Sequence, residues 1–291
     1  MLPAPDDANA TPPGPVPSLP ALRGEIDAID DALHDLVMRR AAVVVRMAAS
    51  RVKGDASSLR PGREASILRR LLARHTGALP PDALVRLWRE LLSASNAMQG
   101  AFSVALPRGD EGVYKAARSR FGTMGEPRFE DGPEAALAAL ARGDAQAAAL
   151  PLPAEDGAGA WWTGLDSPRL QVVAKLPFYA VTPAPAAVVV TREGPDPSGD
   201  DRGLLRVALD ADGAAGREQL LVALREAGFG DAPGVLLCRQ QAGLWALAEV
   251  DGAVAADDAR LSALRARLPA NRVQPLGFYA TPIRAAPDGG E

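Results

Sequence analysis

The chain has 291 residues but one cysteine, Cys238, and only two histidines, His34 and His75. One cysteine excludes an intramolecular disulfide, and this supply of Cys and His offers no zinc-ligand spacing. Histidine-based catalysis is equally short of material. Cys238 falls in an apolar run and reads as a buried strand residue. His34 reads as a solvated helix residue, and His75 as a helix C-terminal one. No apolar run approaches the roughly 18 residues of a membrane span. The opening residues lack a basic stretch followed by an apolar one, so they do not read as a signal peptide, and a cytoplasmic protein is expected. Formal net charge is -4, so no basic field points to nucleic acid. An acidic ligand would need locally concentrated positive charge, which makes the placement of arginines more telling than their number.

Apolar residues reach 47% and charged residues 23%, ordinary values for a soluble globular chain. The length allows two domains with room for a third small module. Residues 1–17 are rich in Pro, Ala and Asp and read as a disordered tail. From Leu22 a helical stripe begins: Leu22, Ile26, Ile29, Leu33 and Leu36, continuing through Val44 and Met47. No proline or glycine interrupts Glu25 to Lys53. A helix of roughly thirty residues is unusually long for a globular domain and calls for a bundle or a dimer partner. After a loop from Gly54, a second helix is expected from about Pro61, with Ile67, Leu68, Leu71 and Leu72 inside. Gly77 to Pro81 breaks it. Asp82 is placed to cap a third helix carrying Leu84, Leu87, Trp88, Leu91 and Leu92.

Arginines interrupt this pattern. On a wheel with Leu22 at zero, Ile26, Ile29 and Leu33 fall within about 40°, Arg40 at about 0° and Arg51 at about 20°. Either the stripe has ended by Arg40 and both residues are solvated, or the interior holds an anion. Relative to Leu84, Ser95 and Gln99 lie at about 20° and 60°, inside the apolar arc of the third helix. Glu64 lines up with Ile67, Leu68 and Leu71. It is either an inward-facing acid or a first-turn residue favoured by the helix dipole.

Several of these features, in order, resemble the all-helical chorismate mutase family over residues 18–100. They are the run Leu22-Arg23-Gly24-Glu25-Ile26-Asp27-Ala28-Ile29-Asp30, Arg40, Pro61-x-Arg63-Glu64, and Ser95-x-x-x-Gln99 after Leu91-Leu92. The resemblance implies a three-helix fold in an intertwined homodimer, chorismate as substrate, and rearrangement to prephenate in aromatic amino-acid biosynthesis without cofactor or metal. It implies that Arg23 reaches a substrate carboxylate across the dimer interface. Arg40 holds a carboxylate within its own protomer. Arg51 stands where the family has lysine, at a carboxylate and the breaking ether oxygen. Gln99 donates to that ether oxygen, Glu64 holds the ring hydroxyl, and Arg63 and Ser95 complete the surround. Arg40, Arg51 and Gln99 are the expected catalytic set. Lys53, two residues on, faces elsewhere on a continuous helix. A pericyclic step needs orientation and preorganised charge rather than an acid or base.

After Gly100, strand-like runs at Phe102–Leu106, Ala147–Leu150, Leu170–Val173 and Ala186–Val190 alternate with helices near Tyr114–Phe121 and Pro133–Ala141, an α/β pattern. Glu193 to Asp201 reads as a linker. Strand, helix, strand, strand, helix, strand then follow from Leu205 to Phe278, the ferredoxin-like order. This half resembles, more faintly, a prephenate dehydratase with a C-terminal ACT module. The resemblance rests on Gly112-Val113-Tyr114, Ala149-Leu150-Pro151, Arg239, Trp245, Val250-Asp251-Gly252 and Leu276-Gly277-Phe278-Tyr279. It implies a periplasmic-binding-like α/β domain over 101–200, an ACT-like domain over 204–284 and a tail over 285–291. The departures are chemical. Where that family has Thr-Arg-Phe before a Val-rich strand, this chain has Pro185-Ala186-Ala187, and Thr191-Arg192 follow the strand instead. Pro153-Ala154-Glu155 replace Glu-Asn-Ser. A degenerate, inactive dehydratase-like region is therefore expected. A bifunctional mutase–dehydratase is the alternative, and a non-catalytic binding protein of the same fold is the alternative of another class. Trp161-Trp162 fit either core or interface.

Overall fold

The computed structural model describes residues 18–50, 59–123, 125–180, 184, 186–209, 213–230, 234–240, 243–268 and 273–284. The expected tails 1–17 and 285–291, together with Arg51 and Lys53, lie outside the described residues. The chain divides into two compact units, Met1–Lys53 and Gly54–Glu291. The domain expected over 18–100 is thus divided, and its second and third helices belong to the same unit as the α/β region.

In the first unit, helix α1 spans Leu19–Ser50, starting three residues before the stripe's first leucine, Leu22. Pro20 is tolerated because a first-turn N–H has no helical acceptor, and the Ser18 hydroxyl accepts from the Ala21 amide. The helix buries none of its residues. Leu22, Ile26, Ile29, Leu33 and Leu36 are 40–57% exposed, so the stripe that specifies the helix stands open along its length.

The second unit opens with α2 (Pro61–Ala73) and α3 (Pro81–Ala97). The expected cap of α3 shifts. Pro80 takes the N-cap position, and Asp82 lies inside the first turn, paired to Arg86 one turn on. Then come β1 (Ser103–Pro107), α4 (Glu111–Phe121), β2 (Glu126–Glu130), α5 (Pro133–Arg142) and β3 (Ala147–Leu150). A 3₁₀ segment over Gly157–Gly164 precedes β4 (Gln171–Leu176), β5 (Tyr179–Ala180) and β6 (Ala187–Thr191). The chain ends with β7 (Asp201–Leu209), α6 (Gly213–Glu226), β8 (Val235–Gln240), β9 (Gly243–Asp251), α7 (Ala259–Arg267), β10 (Val273–Ala280) and β11 (Ile283–Arg284).

Nine strands form one sheet in the order β2-β1-β3-β6-β4-β10-β7-β9-β8. Its first part is mixed: β1 runs parallel to β2 and β3, and β6 runs antiparallel to β3 and β4. The central β3 and β6 are buried at every residue, which is why they read as unbroken Ala/Val runs rather than alternating ones. The second part, β10-β7-β9-β8, is antiparallel throughout and has the ferredoxin-like strand order. Leu220 and Leu224 of α6 and Leu261 and Leu264 of α7 pack on one face, against Leu205, Val207, Ala246 and Ala248. The opposite face, with Leu204, Leu247 and Leu276, packs on Trp161 and Trp162. Both tryptophans are therefore core. Their indole N–H groups donate to the Pro151 and Ala154 carbonyls. Cys238 is buried.

The two parts join at β4 and β10, where Gly277 pairs with Val172 beside a bulge. Gly277 has φ of +122°, and a Cβ there would lie 2.2 Å from the Val172 carbonyl oxygen. Only glycine permits that seam.

The segment expected as a linker is pinned instead. The Gly62 and Arg63 amides donate to the Asp196 carboxylate at 3.0 Å each. This carboxylate caps α2 from a distant part of the chain. Arg69 donates to the Ser198 hydroxyl and to the Asp200 and Thr281 carbonyls. Among the described residues no helix is long and apolar enough to cross a membrane.

Candidate functional site

The candidate residues fall on both units. On α1, Arg23 is exposed and Arg40 half-buried. Seventeen positions apart, they point about 100° away from each other around the helix, so their guanidinium groups leave it on different sides. Arg51 lies outside the described residues.

In the second unit α3 has two working faces. Val85, Arg89, Leu92 and Asn96, spaced four, three and four apart, are buried against the α/β body. Of the arc expected to be interior, Leu92 is on this buried face and the rest turns away from it. Leu87 is 56% exposed, and Leu84, Trp88 and Leu91 are only half-buried. Leu87 is therefore corrected from core to surface, because the body takes the face about 100° away. Ser95 and Gln99 extend this second arc. The Ser95 hydroxyl donates to the Leu91 carbonyl at 2.6 Å, and the Gln99 amide to the Ser95 carbonyl at 2.9 Å.

Glu64 faces inward from α2 and is 4% exposed. Its Oε2 lies 3.1 Å from Arg89 and 2.5 Å from Arg120 of α4, and the Asn96 amide donates to its Oε1 at 3.5 Å. Arg63, its neighbour, is exposed and contributes a backbone amide to Asp196. A carboxylate has about four lone-pair sites, so Oε1 retains room for one more donor. Burial, first, and Arg120, second, push the Arg89 guanidinium down to about 9, with Glu64 pulling the other way. Arg120 is 4% exposed, and its Nη1 has no hydrogen-bond partner among the described residues. Two buried cations thus share one buried anion. Neither arginine stood out as a site residue in the sequence. The available signal was Arg89 occupying the second position of the Val85-Arg89-Leu92-Asn96 stripe.

The dehydratase-like positions have structural duties. Glu155 pairs with Arg217 at 3.2 Å and accepts from the Leu237 amide at 2.9 Å, tying its loop to strand β8. The Thr191 hydroxyl is spent on the Glu193 carbonyl at 2.6 Å. A cavity of about 170 Å³ lies beside them, lined by Leu152, Pro153, Lys175, Leu236, Glu249 and Tyr279. Its one cation, Lys175, is held by Glu249 at 3.2 Å. Burial, first, and Glu249, second, push the Tyr279 hydroxyl above its ordinary range, so it stays a neutral donor.

Residues 22–100 match the family model of type II chorismate mutases. This span covers every candidate residue on α1, α2 and α3. The bifunctional chorismate mutase/prephenate dehydratase of Neisseria gonorrhoeae is 33% identical over 115 residues, which is 38% of this chain and 31% of that protein. Proteins of the same description from Stutzerimonas stutzeri and Pseudomonas aeruginosa are 32% and 33% identical over 111 residues, each match covering 36% of this chain and 30% of the relative. The chain thus spans about 30% of the length of the curated relatives it matches. Among solved structures, a prephenate dehydratase from Arthrobacter aurescens in complex with L-Phe covers 65% of this chain and 94% of its own, with TM-score 0.45 and 15% identity. A prephenate dehydratase from Streptococcus mutans covers 61% and 97%, with TM-score 0.46 and 13% identity. A quorum-quenching acylase covers 62% and 96%, at TM-score 0.46 and 18% identity.

Proposed function

We propose that the protein is a cytoplasmic chorismate mutase, rearranging chorismate to prephenate for aromatic amino-acid biosynthesis, and that it works as a homodimer. The observation that carries the reading is the family match over residues 22–100, which contains all seven candidate side chains. The geometry supports it in two ways. The α1 stripe is open along the helix, and apolar surface of that length wants a partner. On the α3 arc that carries them, Ser95 is buried while Gln99, with Leu84, Trp88 and Leu91, is only half-buried.

In this reading Arg40 and the partner protomer's copy of Arg23 clamp the two carboxylates of the substrate. They hold it in the folded shape from which the bond between the side-chain terminus and the ring can form. Negative charge develops on the ether oxygen as its bond to the ring breaks. Arg51 and Gln99 donate to that oxygen, so they are worth more in the transition state than in the ground state. Arginine at position 51 can bridge two acceptors, where the compact ammonium of lysine would be a single point charge. Glu64 accepts the ring hydroxyl through Oε1, the oxygen with room. Arg63 and Ser95 complete the surround. No proton is transferred, no covalent intermediate forms, and no cofactor or metal is required.

The α/β and ferredoxin-like parts are read as a dehydratase-like body without dehydratase activity and an ACT-like module. Their Glu155 and Thr191 are committed to structural contacts. The second reading, a bifunctional mutase–dehydratase, draws on the Neisseria match, which at 115 residues is longer than the 22–100 family span. One experiment separates the readings. Purified protein is incubated with chorismate and the products are identified. Prephenate alone is expected. Phenylpyruvate would establish the bifunctional reading, and unchanged chorismate would leave a non-catalytic protein.

A further inference from the structure

We propose that the cavity between α3, α4 and the Leu176–Tyr179 segment is a binding site for a small aromatic carboxylate, a second site that adjoins the proposed mutase site at Glu64. The cavity measures about 150 Å³, the size class that accepts a benzene-like ring. Its charged lining is Arg86, Arg89, Arg120 and Asp82. Asp82 is bound to Arg86. Glu64 compensates only one of the remaining pair, so one buried positive charge is left over. A buried cation without its own counter-ion is costly. Arg120 adds a second observation: it is 4% exposed, lines the cavity, and carries a terminal N–H group with no acceptor among the described residues. A ligand carboxylate supplies both the missing charge and the missing acceptor, as a charge-assisted pair.

The rest of the wall selects the body of the ligand. Val85, Ala116, Leu176 and Phe178 are buried apolar residues lining the same space. An aromatic ring against them loses only hydration. Inorganic phosphate has no apolar body to place against these walls and would turn charged oxygens toward them. The site does not use the Ser95–Gln99 arc, and its one link to the mutase chemistry is Glu64, whose Oε2 its two arginines hold.

The test is isothermal titration calorimetry on the full-length protein, with 3-phenylpropionate as probe, its neutral amide as control, and inorganic phosphate as competitor. Ser119, at the exposed end of the lining, is replaced in Ser119→Trp to plug the mouth while leaving the Glu64 cluster intact. Arg120→Gln removes the orphan donor, and Arg40→Ala disables the mutase site. One carboxylate is expected to bind per chain in the wild type and in Arg40→Ala, with the amide at least tenfold weaker. Binding is expected to be lost in Ser119→Trp and Arg120→Gln, and the Ser119→Trp helical content to be unchanged. The proposal is overturned by no binding, by equal binding of the amide, by displacement with phosphate, or by a Ser119→Trp variant that binds like the wild type. Loss of binding in Arg40→Ala would also overturn it, by assigning the probe to the mutase site.

Discussion

Replacing Glu64 with glutamine should cost the second unit several kilocalories. The carboxylate is 5% exposed and is the anion facing Arg89 and Arg120, whose side chains are 9% and 4% exposed. Glutamine keeps the shape, removes the charge and turns an N–H donor toward two donors. Removing one partner of a buried ion pair typically costs about 3–5 kcal/mol. For a unit of 150–250 residues each kilocalorie shifts the melting temperature by roughly 2–4 °C, so a fall of about 6–20 °C is expected by calorimetry at neutral pH. The matched variant Glu64→Leu/Arg89→Leu/Arg120→Met should recover most of that loss, since well-packed apolar replacements of a buried charge cluster are often neutral or better. A Glu64→Gln melting temperature within about 2 °C of the wild type would refute the claim that this carboxylate holds the two guanidinium groups.

Asp196→Ala removes the remote cap of α2 and should lower stability by about 0.5–2 kcal/mol in urea titrations, with faster amide exchange at Gly62 and Arg63. Trp162→Ala, at a fully buried side chain between the ferredoxin-like sheet and the α/β part, should cost about 3–5 kcal/mol. Its thermal transition tests whether Trp162 is core, because a surface tryptophan would cost little.

The sequence disclosed what regular patterns write into it. Leu22 to Leu36 announces α1 by its spacing, and the strands of the ferredoxin-like part announce themselves by apolar runs covered on both faces, as with Leu204 and Leu205 facing opposite sides. Strand β2, Glu-Pro-Arg-Phe-Glu, escaped notice because an exposed edge strand carries charge and proline instead of an apolar run. The Asp196 cap was hidden because it joins residues 134 positions apart, and Pro/Asp/Gly composition reads as linker whether or not its carboxylates find a helix end. The two faces of α3 were the hardest feature. The Leu84-Leu87-Trp88-Leu91 face is the more apolar, and only the packed α/β body, with Glu64 to pair Arg89, decides that Val85, Arg89 and Asn96 go inside. Arg40 and Arg51 stand at stripe positions in the sequence, and α1 leaves Arg40 half-buried on that stripe, while Arg51 lies outside the described residues.

The central claim is that Arg40 holds a carboxylate of chorismate. It is tested most directly by the steady-state loss of chorismate with wild-type and Arg40→Ala protein of equal helical content. The account predicts turnover to prephenate by the wild type and a loss of on the order of 10²–10³ in the variant. Near-wild-type turnover by Arg40→Ala would contradict it.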